Sequence, residues 1–480
     1  MRLLRSLVLL AVAGLAVAGC SQPRPKPIAG CNYQMLRLDV GSRLKKPDIT
    51  ESPVDATAAD VAQEAISRRL GAQLRERRVR REQERAPLEG VGGAAPSEDQ
   101  FLALSGGGQH GAFGAGFFYG LAKRGTLPTW DIVTGVSTGS LQSTLLFLAN
   151  QPVPADRTDY SWVDGPMSGK DGPSPLVVTP GTSNVGDLVL AYSIAREADL
   201  MRVRSGGAAL GALLKGSTAS FAPLQARLRK IMTVGTLQAV GHEWRDRNRQ
   251  LYVGVSNLDD GEGYAIDMGE LAGRTLTTTA PEELARLQGC YIDAMLASSS
   301  VPPGVPPLSL EAAGGGDAPG SRQSAMYMDG GARFGMFLAP VVAALKGAGS
   351  DGKARVTLLV NTTMDAGPWS GTAQPVQRWS AVTAALRAVD LLETQVYRFS
   401  AGSVEQLGME LGGLDMAYLS QAGTGGEAPD DHRFDGKSCA EWLAIDARAK
   451  PLQFYPHYMA CTVDYGRARG AAANWNYQLP

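Results

Sequence analysis

The sequence predicts an α/β fold with a largely parallel central sheet, and three observations predict it. Phe101 to Leu104 is a short apolar run that stops at Ser105-Gly106-Gly107-Gly108. Apolar residues then recur at helical spacing through Ala112, Ala115, Phe118 and Leu121, and Gly125 marks the stop. Ile132-Val133-Thr134 is a second short strand that runs into Gly135-Val136-Ser137-Thr138-Gly139 and then a helical stretch, Ser140 to Ala149. Two later runs, Leu251 to Leu258 and Arg355 to Asn361, have the same buried-strand character. Strand, turn and helix repeated in succession is how parallel strands are connected.

The pentapeptide around Ser137 fits G-x-S-x-G, in which a sharp strand-to-helix turn pushes a serine hydroxyl out of the sheet. Gly135 and Gly139 lack side chains where strand and helix come close. Ser137 then sits at a helix N-terminus, where the dipole favours developing negative charge. The triple glycine, Gly106, Gly107 and Gly108, ends the neighbouring strand, so its unobstructed N–H groups are candidates for an oxyanion hole. Gly106, Gly108 and Gly111 also satisfy G-x-G-x-x-G, the dinucleotide fingerprint. That reading expects an acidic residue at the end of the second strand, but this strand ends in Ser137. No Walker lysine follows the glycines and the cysteines lack metal-site spacing, so no cofactor and no metal are expected.

Further along, Ala297 to Leu308 reads ASSSVPPGVPPL, and Asp329-Gly330-Gly331 follows a short apolar run at Met326 to Met328. Together with SGGGQHGAFGAG and GVSTG, in this order and spacing, these motifs resemble the patatin-like phospholipase family over roughly residues 100 to 365. The resemblance implies a three-layer α/β/α fold with the nucleophile on a strand-to-helix elbow. It also implies a Ser-Asp dyad, with Ser137 as nucleophile and Asp329 as general base, and Gly106 to Gly108 as oxyanion loop. Gly135, Gly139, Gly330 and Gly331 support the two motifs. Two departures stand out: Gln109-His110 where the family often has a basic residue, and Arg333-Phe334-Gly335-Met336 in place of an asparagine-containing continuation. A rival triad of the α/β-hydrolase kind needs a histidine after the acid, and His432 and His457 are available; His110 and His242 come in the wrong order. A catalytically silent binding or scaffold module is the non-enzymatic alternative.

The chain has 480 residues, enough for one large domain plus extensions, and 44% hydrophobic residues, enough for a sizeable core. A net charge of −1 gives no electrostatic pull toward nucleic acid; the resemblance implies membrane lipid as the substrate and partner. Arg2 and Arg5, a short apolar stretch and small residues lead to Cys20; Val17-Ala18-Gly19-Cys20 is similar to a bacterial lipobox. Residues 1–19 are therefore expected as a lipoprotein signal peptide, and Cys20 as the lipidated first residue. Ser21 after it resembles lipoproteins of the bacterial outer membrane, which places the protein in the cell envelope facing the periplasm. Residues 20–98 are read as a lipidated tether and a basic helical extension, with arginines clustered up to Arg85 and a linker at Leu88 to Ser97. Residues 99–411 are the catalytic domain, in which Gln377 to Leu407 is a long helical pattern, and 412–480 a C-terminal extension. Export permits disulfides among Cys31, Cys290, Cys439 and Cys461; the sequence leaves three pairings open, with Cys439–Cys461 preferred because both lie in the extension.

Overall fold

The computed structural model describes residues 23–38, 72, 76, 79, 99–168, 176–204, 217–313, 323–338, 341–342, 353–366, 369, 376, 378–419 and 431–479. The lipobox with Cys20, almost all of the basic segment and the Leu88 to Ser97 linker lie outside these residues. Among the described residues, ten strands form one mixed sheet. They are β1 (Met35–Arg37), β2 (Asp99–Leu104), β3 (Ile132–Val136), β4 (Gln250–Asn257), β5 (Gly263–Asp267), β6 (Leu308–Ala312), β7 (Gln323–Asp329), β8 (Ala354–Thr363), β9 (Gly412–Leu419) and β10 (Tyr477–Leu479). Their order is β1-β5-β4-β3-β2-β8-β9-β10, with β7 pairing β4 and carrying β6. The five inner strands β4, β3, β2, β8 and β9 are mutually parallel, and the remaining pairings are antiparallel.

Strand alternation divides the core into two layers. Leu102, Leu104, Val133, Leu251 and Val253 face one side, with Phe113 and Phe117 of α1 (Gly111–Arg124) and Leu145 of α2 (Thr138–Phe147). Ile292 and Met295 of α3 (Pro281–Ser298) join the same side. Phe101, Ala103, Ile132, Val136 and Leu358 face the other, against Phe334, Phe337 and the buried face of α4 (Ala381–Leu411). Every residue of β3 and β4 is buried, as two helix-covered faces require. The expected α/β/α layering is what the chain adopts.

Two expected boundaries give way to the sheet. Part of the presumed tether is a strand of the domain: β1 pairs antiparallel with β5, and Cys31 is disulfide-bonded to Cys290 of α3. Arg274 reinforces this by donating to the carbonyls of Cys31 and Asn32. The expected C-terminal extension is also integral. β9 follows α4 directly and lies in parallel register on β8, while α5 (Pro456–Ala471) packs on α1. Cys439 pairs with Cys461, tying the segment before α5 to the helix itself.

The α1–α5 contact is built on bare backbone. A Cβ on Gly116 would stand 1.9 Å from the Val463 carbonyl oxygen, and one on Gly470 would stand 1.9 Å from that of Phe117. Each helix thus offers glycines four residues apart, Gly116 and Gly120 against Gly466 and Gly470. Gly470→Ala should force the helices apart and destabilise the protein by about 1–3 kcal/mol, the usual range for overpacking. A denaturant midpoint equal to wild type would show that the helices do not pack this closely.

Candidate active site

Strand register brings the two halves of the site together. Val136, the last residue of β3, is paired with Gly254 of β4, and the next β4 residue, Val255, is opposite Asp329 at the end of β7. Ser137 and Asp329 therefore emerge from the same region of the sheet although 192 positions separate them.

Ser137 occupies φ 54°, ψ −124°, a conformation rare for a residue with a side chain, which costs on the order of 1–3 kcal/mol. Several contacts hold it there. Its N–H donates to Ser298 Oγ at 3.0 Å, and Ser298 Oγ donates in turn to the Gly254 carbonyl at 2.7 Å. Its carbonyl accepts from Ser140 Oγ at 2.6 Å and Ser299 Oγ at 3.3 Å. The flanking glycines allow the crossing: a Cβ on Gly139 would stand 2.6 Å from the Leu104 and Ser105 carbonyl oxygens, and one on Gly135 would stand 2.4 Å from that of Gly139. Two serines of Ala297 to Leu308, Ser298 and Ser299, touch this turn, which explains why that stretch belongs to the site.

Asp329 is buried, and the Ser137 side chain is among the groups that favour its ionised form. Its Oδ1 accepts the Gly331 N–H at 2.7 Å, and its own N–H donates to the Ser300 carbonyl at 2.8 Å. Burial pushes its carboxyl up to about 7; the Ser137 side chain and the Gly331 N–H act against that rise without cancelling it. A carboxylate raised this far is a competent base near neutral pH.

The glycine loop differs from expectation in one respect. Gly106 was expected to face an oxyanion, but its N–H donates to the Gly335 carbonyl at 3.1 Å. Gly107 and Gly108 line the cavity, and their N–H groups have no protein acceptor among the described residues. Gly107 adopts φ 143°, and a Cβ there would stand 1.8 Å from the Asn361 carbonyl oxygen, so only glycine fits. Asn361, at the end of β8, anchors the loop by donating from its N–H to Ser105 Oγ at 2.7 Å and from Nδ2 to the Ser105 carbonyl at 3.0 Å.

These groups open onto a cavity of about 730 Å³. Ser137, Asp329, Gly107, Gly108 and Tyr397 line it, as do the charged Arg227, Asp365, Asp390 and Glu393, and Leu141, Leu145, Leu224, Leu228, Ile231 and Met232 are among its apolar lining. Phe221 also lines it, whereas Leu210, Leu213 and Leu214 lie outside the described residues. Of the histidines, only His110 lines the cavity, and desolvation lowers its imidazole to about 4, so it is neutral there. His432 and His457 are held by Asp464 at 2.9 Å and Asp446 at 2.8 Å, away from the cavity, and His242 pairs with Asp246 on an exposed helix face. Sequence reading missed Asn361, Ser298 and Tyr397. Asn361 closes a predicted strand, and Tyr397 sits inside a helical pattern with no motif around it.

A family model described as patatin-like phospholipase matches residues 102–342 of this chain. Among solved structures, the crystal structure of VipD from Legionella pneumophila is similar at a TM-score of 0.27 and 12% identity, over 80% of this chain and 68% of that one. No curated protein matches the chain.

The raised carboxyl has a stability consequence. In the unfolded chain Asp329 titrates near 3.8, in the folded protein near 7. Below the first value both states are protonated; as pH rises through the second, the folded protein must bury a charge and loses stability. Asp329→Asn should therefore melt above wild type at pH 8, with the difference shrinking toward pH 4. A difference independent of pH would rule out a buried titrating carboxyl at this position.

Proposed function

The chain belongs to the patatin-like phospholipase family, and from that premise we propose that it is a serine acyl hydrolase cleaving fatty-acyl esters of membrane lipids through a Ser137–Asp329 dyad. One observation carries the reading. Ser137, held at positive φ at the head of α2, and Asp329, a buried carboxyl raised to about 7 that the Ser137 side chain helps to ionise, line one cavity together with many apolar side chains.

Ser137 Oγ attacks the acyl carbonyl and its proton passes to Asp329. The oxyanion is received by the Gly107 and Gly108 N–H groups, with the positive end of the α2 dipole beneath Ser137. Collapse of the tetrahedral species expels the alcohol, which takes the proton from Asp329, and leaves an acyl-serine. Water, deprotonated by Asp329, then attacks the acyl-serine; the bond to Ser137 Oγ breaks, that oxygen takes the proton back from Asp329, and the fatty acid leaves. The aliphatic walls from Leu141 to Met232 suit an acyl chain, which loses water contact on entry. The engagement of His432 and His457 by Asp464 and Asp446 argues against a triad.

The same proposal extends to location: a lipoprotein of the bacterial outer membrane facing the periplasm, anchored through lipidated Cys20. Two disulfides support an oxidising compartment. Among the described residues, no helix is long and apolar enough to cross a membrane. Cys20→Ala should release active protein from the membrane fraction; variant that stays in the pellet at high salt would argue for another tether.

The dyad predicts a rate that rises with pH to a plateau, with its inflection near 7, because only the ionised Asp329 accepts the serine proton. Asp329→Asn should lower ester turnover by about 10²- to 10⁴-fold, the range for loss of a general base, while His432→Ala and His457→Ala keep most activity. A folded histidine variant as inactive as Ser137→Ala would make the site a triad. Absence of fluorophosphonate labelling at Ser137 in wild-type protein would favour the silent module.

A further inference from the structure

Tyr397 is a polar group lining the cavity to which the scheme above gives no role. It projects from α4 into the space between the dyad and the glycine loop. A Cβ on Gly106 would stand 2.1 Å from the Tyr397 hydroxyl and 3.1 Å from Ser137 Cβ. One on Gly331 would stand 3.0 Å from Asp329 Oδ1 and 3.4 Å from the same hydroxyl. The hydroxyl is therefore adjacent to both dyad residues. Tyr397 is only 4% exposed, yet its hydroxyl has no hydrogen-bond partner among the described residues. The hydroxyl itself opens into the cavity, where it is free to donate to a bound substrate.

The seat of this side chain is built for it. A Cβ on Gly335 would stand 2.7 Å from Tyr397 Cγ, so the ring packs on bare backbone. Gly335 is itself held: its N–H donates to Ser400 Oγ at 3.1 Å and its carbonyl accepts the Gly106 N–H. The unusual Arg333-Phe334-Gly335-Met336 continuation thus has a physical reason, because it makes room for the ring and fixes the first glycine of the loop. Burial, and then the nearby charges of Asp329 and Glu393, push the phenol well above its ordinary range. Tyr397 stays protonated at working pH and can only donate or accept a hydrogen bond, not act as a base.

We propose that the Tyr397 hydroxyl is a third catalytic group of this site, donating a hydrogen bond to the leaving-group oxygen of the ester; this rests on the acyl-hydrolase reading. Of the two oxygens that gain charge, the oxyanion is served by Gly107 and Gly108. Tyr397 stands beside Asp329, where the leaving oxygen must come to collect its proton. When the tetrahedral species collapses, the carbon–oxygen bond to the alcohol breaks and its electron pair stays on the leaving oxygen. The oxyanion re-forms the carbonyl, and the proton that Asp329 took from Ser137 passes to the leaving oxygen. Tyr397 keeps its own proton throughout and offsets charge on that oxygen until the transfer is complete.

Tyr397→Phe keeps the ring against Gly335 and removes only the hydroxyl. Two esters of one fatty acid test it, a p-nitrophenyl ester with a good leaving group and a simple alkyl ester with a poor one. For the alkyl ester, kcat/KM should fall about 10- to 100-fold, somewhat less than for loss of an oxyanion donor. For the p-nitrophenyl ester it should stay within about threefold, because that leaving group needs little proton or hydrogen-bond assistance. Equal losses on both esters, or no loss on either, would overturn the leaving-group role while leaving the acyl-hydrolase reading intact. Wild-type protein that cleaves neither ester would overturn both. A melting midpoint matching wild type shows that the variant is folded.

Discussion

The site depends on the backbone of Ser137 being kept in a conformation that serine rarely adopts. At φ 54° the turn stores strain, and the surroundings must supply more than that strain to hold it. They do so from three directions. Ser298 and Ser299 of the α3 end bind the N–H and carbonyl of Ser137, Ser140 folds back from α2, and the absence of side chains at Gly135 and Gly139 lets strand and helix cross. The parallel sheet then fixes where these pieces meet. In this sense the fold is the clamp, and the serine hydroxyl is what it presents.

Asp329 shows a second compromise between stability and chemistry. In the proposed dyad a surface aspartate would be ionised and well solvated, but too weak a base to take a serine proton efficiently. Burial between β7 and the Gly331 turn raises its carboxyl to about 7, at the expense of folding stability once it ionises. The Gly331 N–H and the Ser137 hydroxyl limit that rise, which keeps the group usable near neutral pH. The Tyr397 hydroxyl, which has no protein partner among the described residues, opens into the same cavity as Asp329.

The ends of the described chain are part of this machinery. β1 and the Cys31–Cys290 disulfide fasten the N-terminal segment to α3, the helix whose last residues hold Ser137. At the other end, α5 interlocks with α1, the helix that follows the glycine loop, and Tyr455 N–H is held by Gln109 Oε1 of that loop. Gln109, a departure from the family pattern at the sequence level, has this contact as its use.

By itself the sequence determined the local chemistry: strand, glycine turn and helix in order, the elbow around Ser137, and the aspartate ahead of two glycines. Those features are legible because each depends on neighbours within a few residues, through strand and helix periodicity, glycine's freedom and turn geometry. Tertiary structure alone decided the long-range pairings. Whether Gly106 offers its N–H to a substrate or to Gly335, whether Tyr397 reaches the dyad, and whether residues 412–480 are appendage or sheet all depend on contacts between distant segments. No local pattern encodes those contacts: a tyrosine on a helix looks the same in sequence whether it faces solvent or a catalytic carboxylate, and only the register of packed strands and helices settles which.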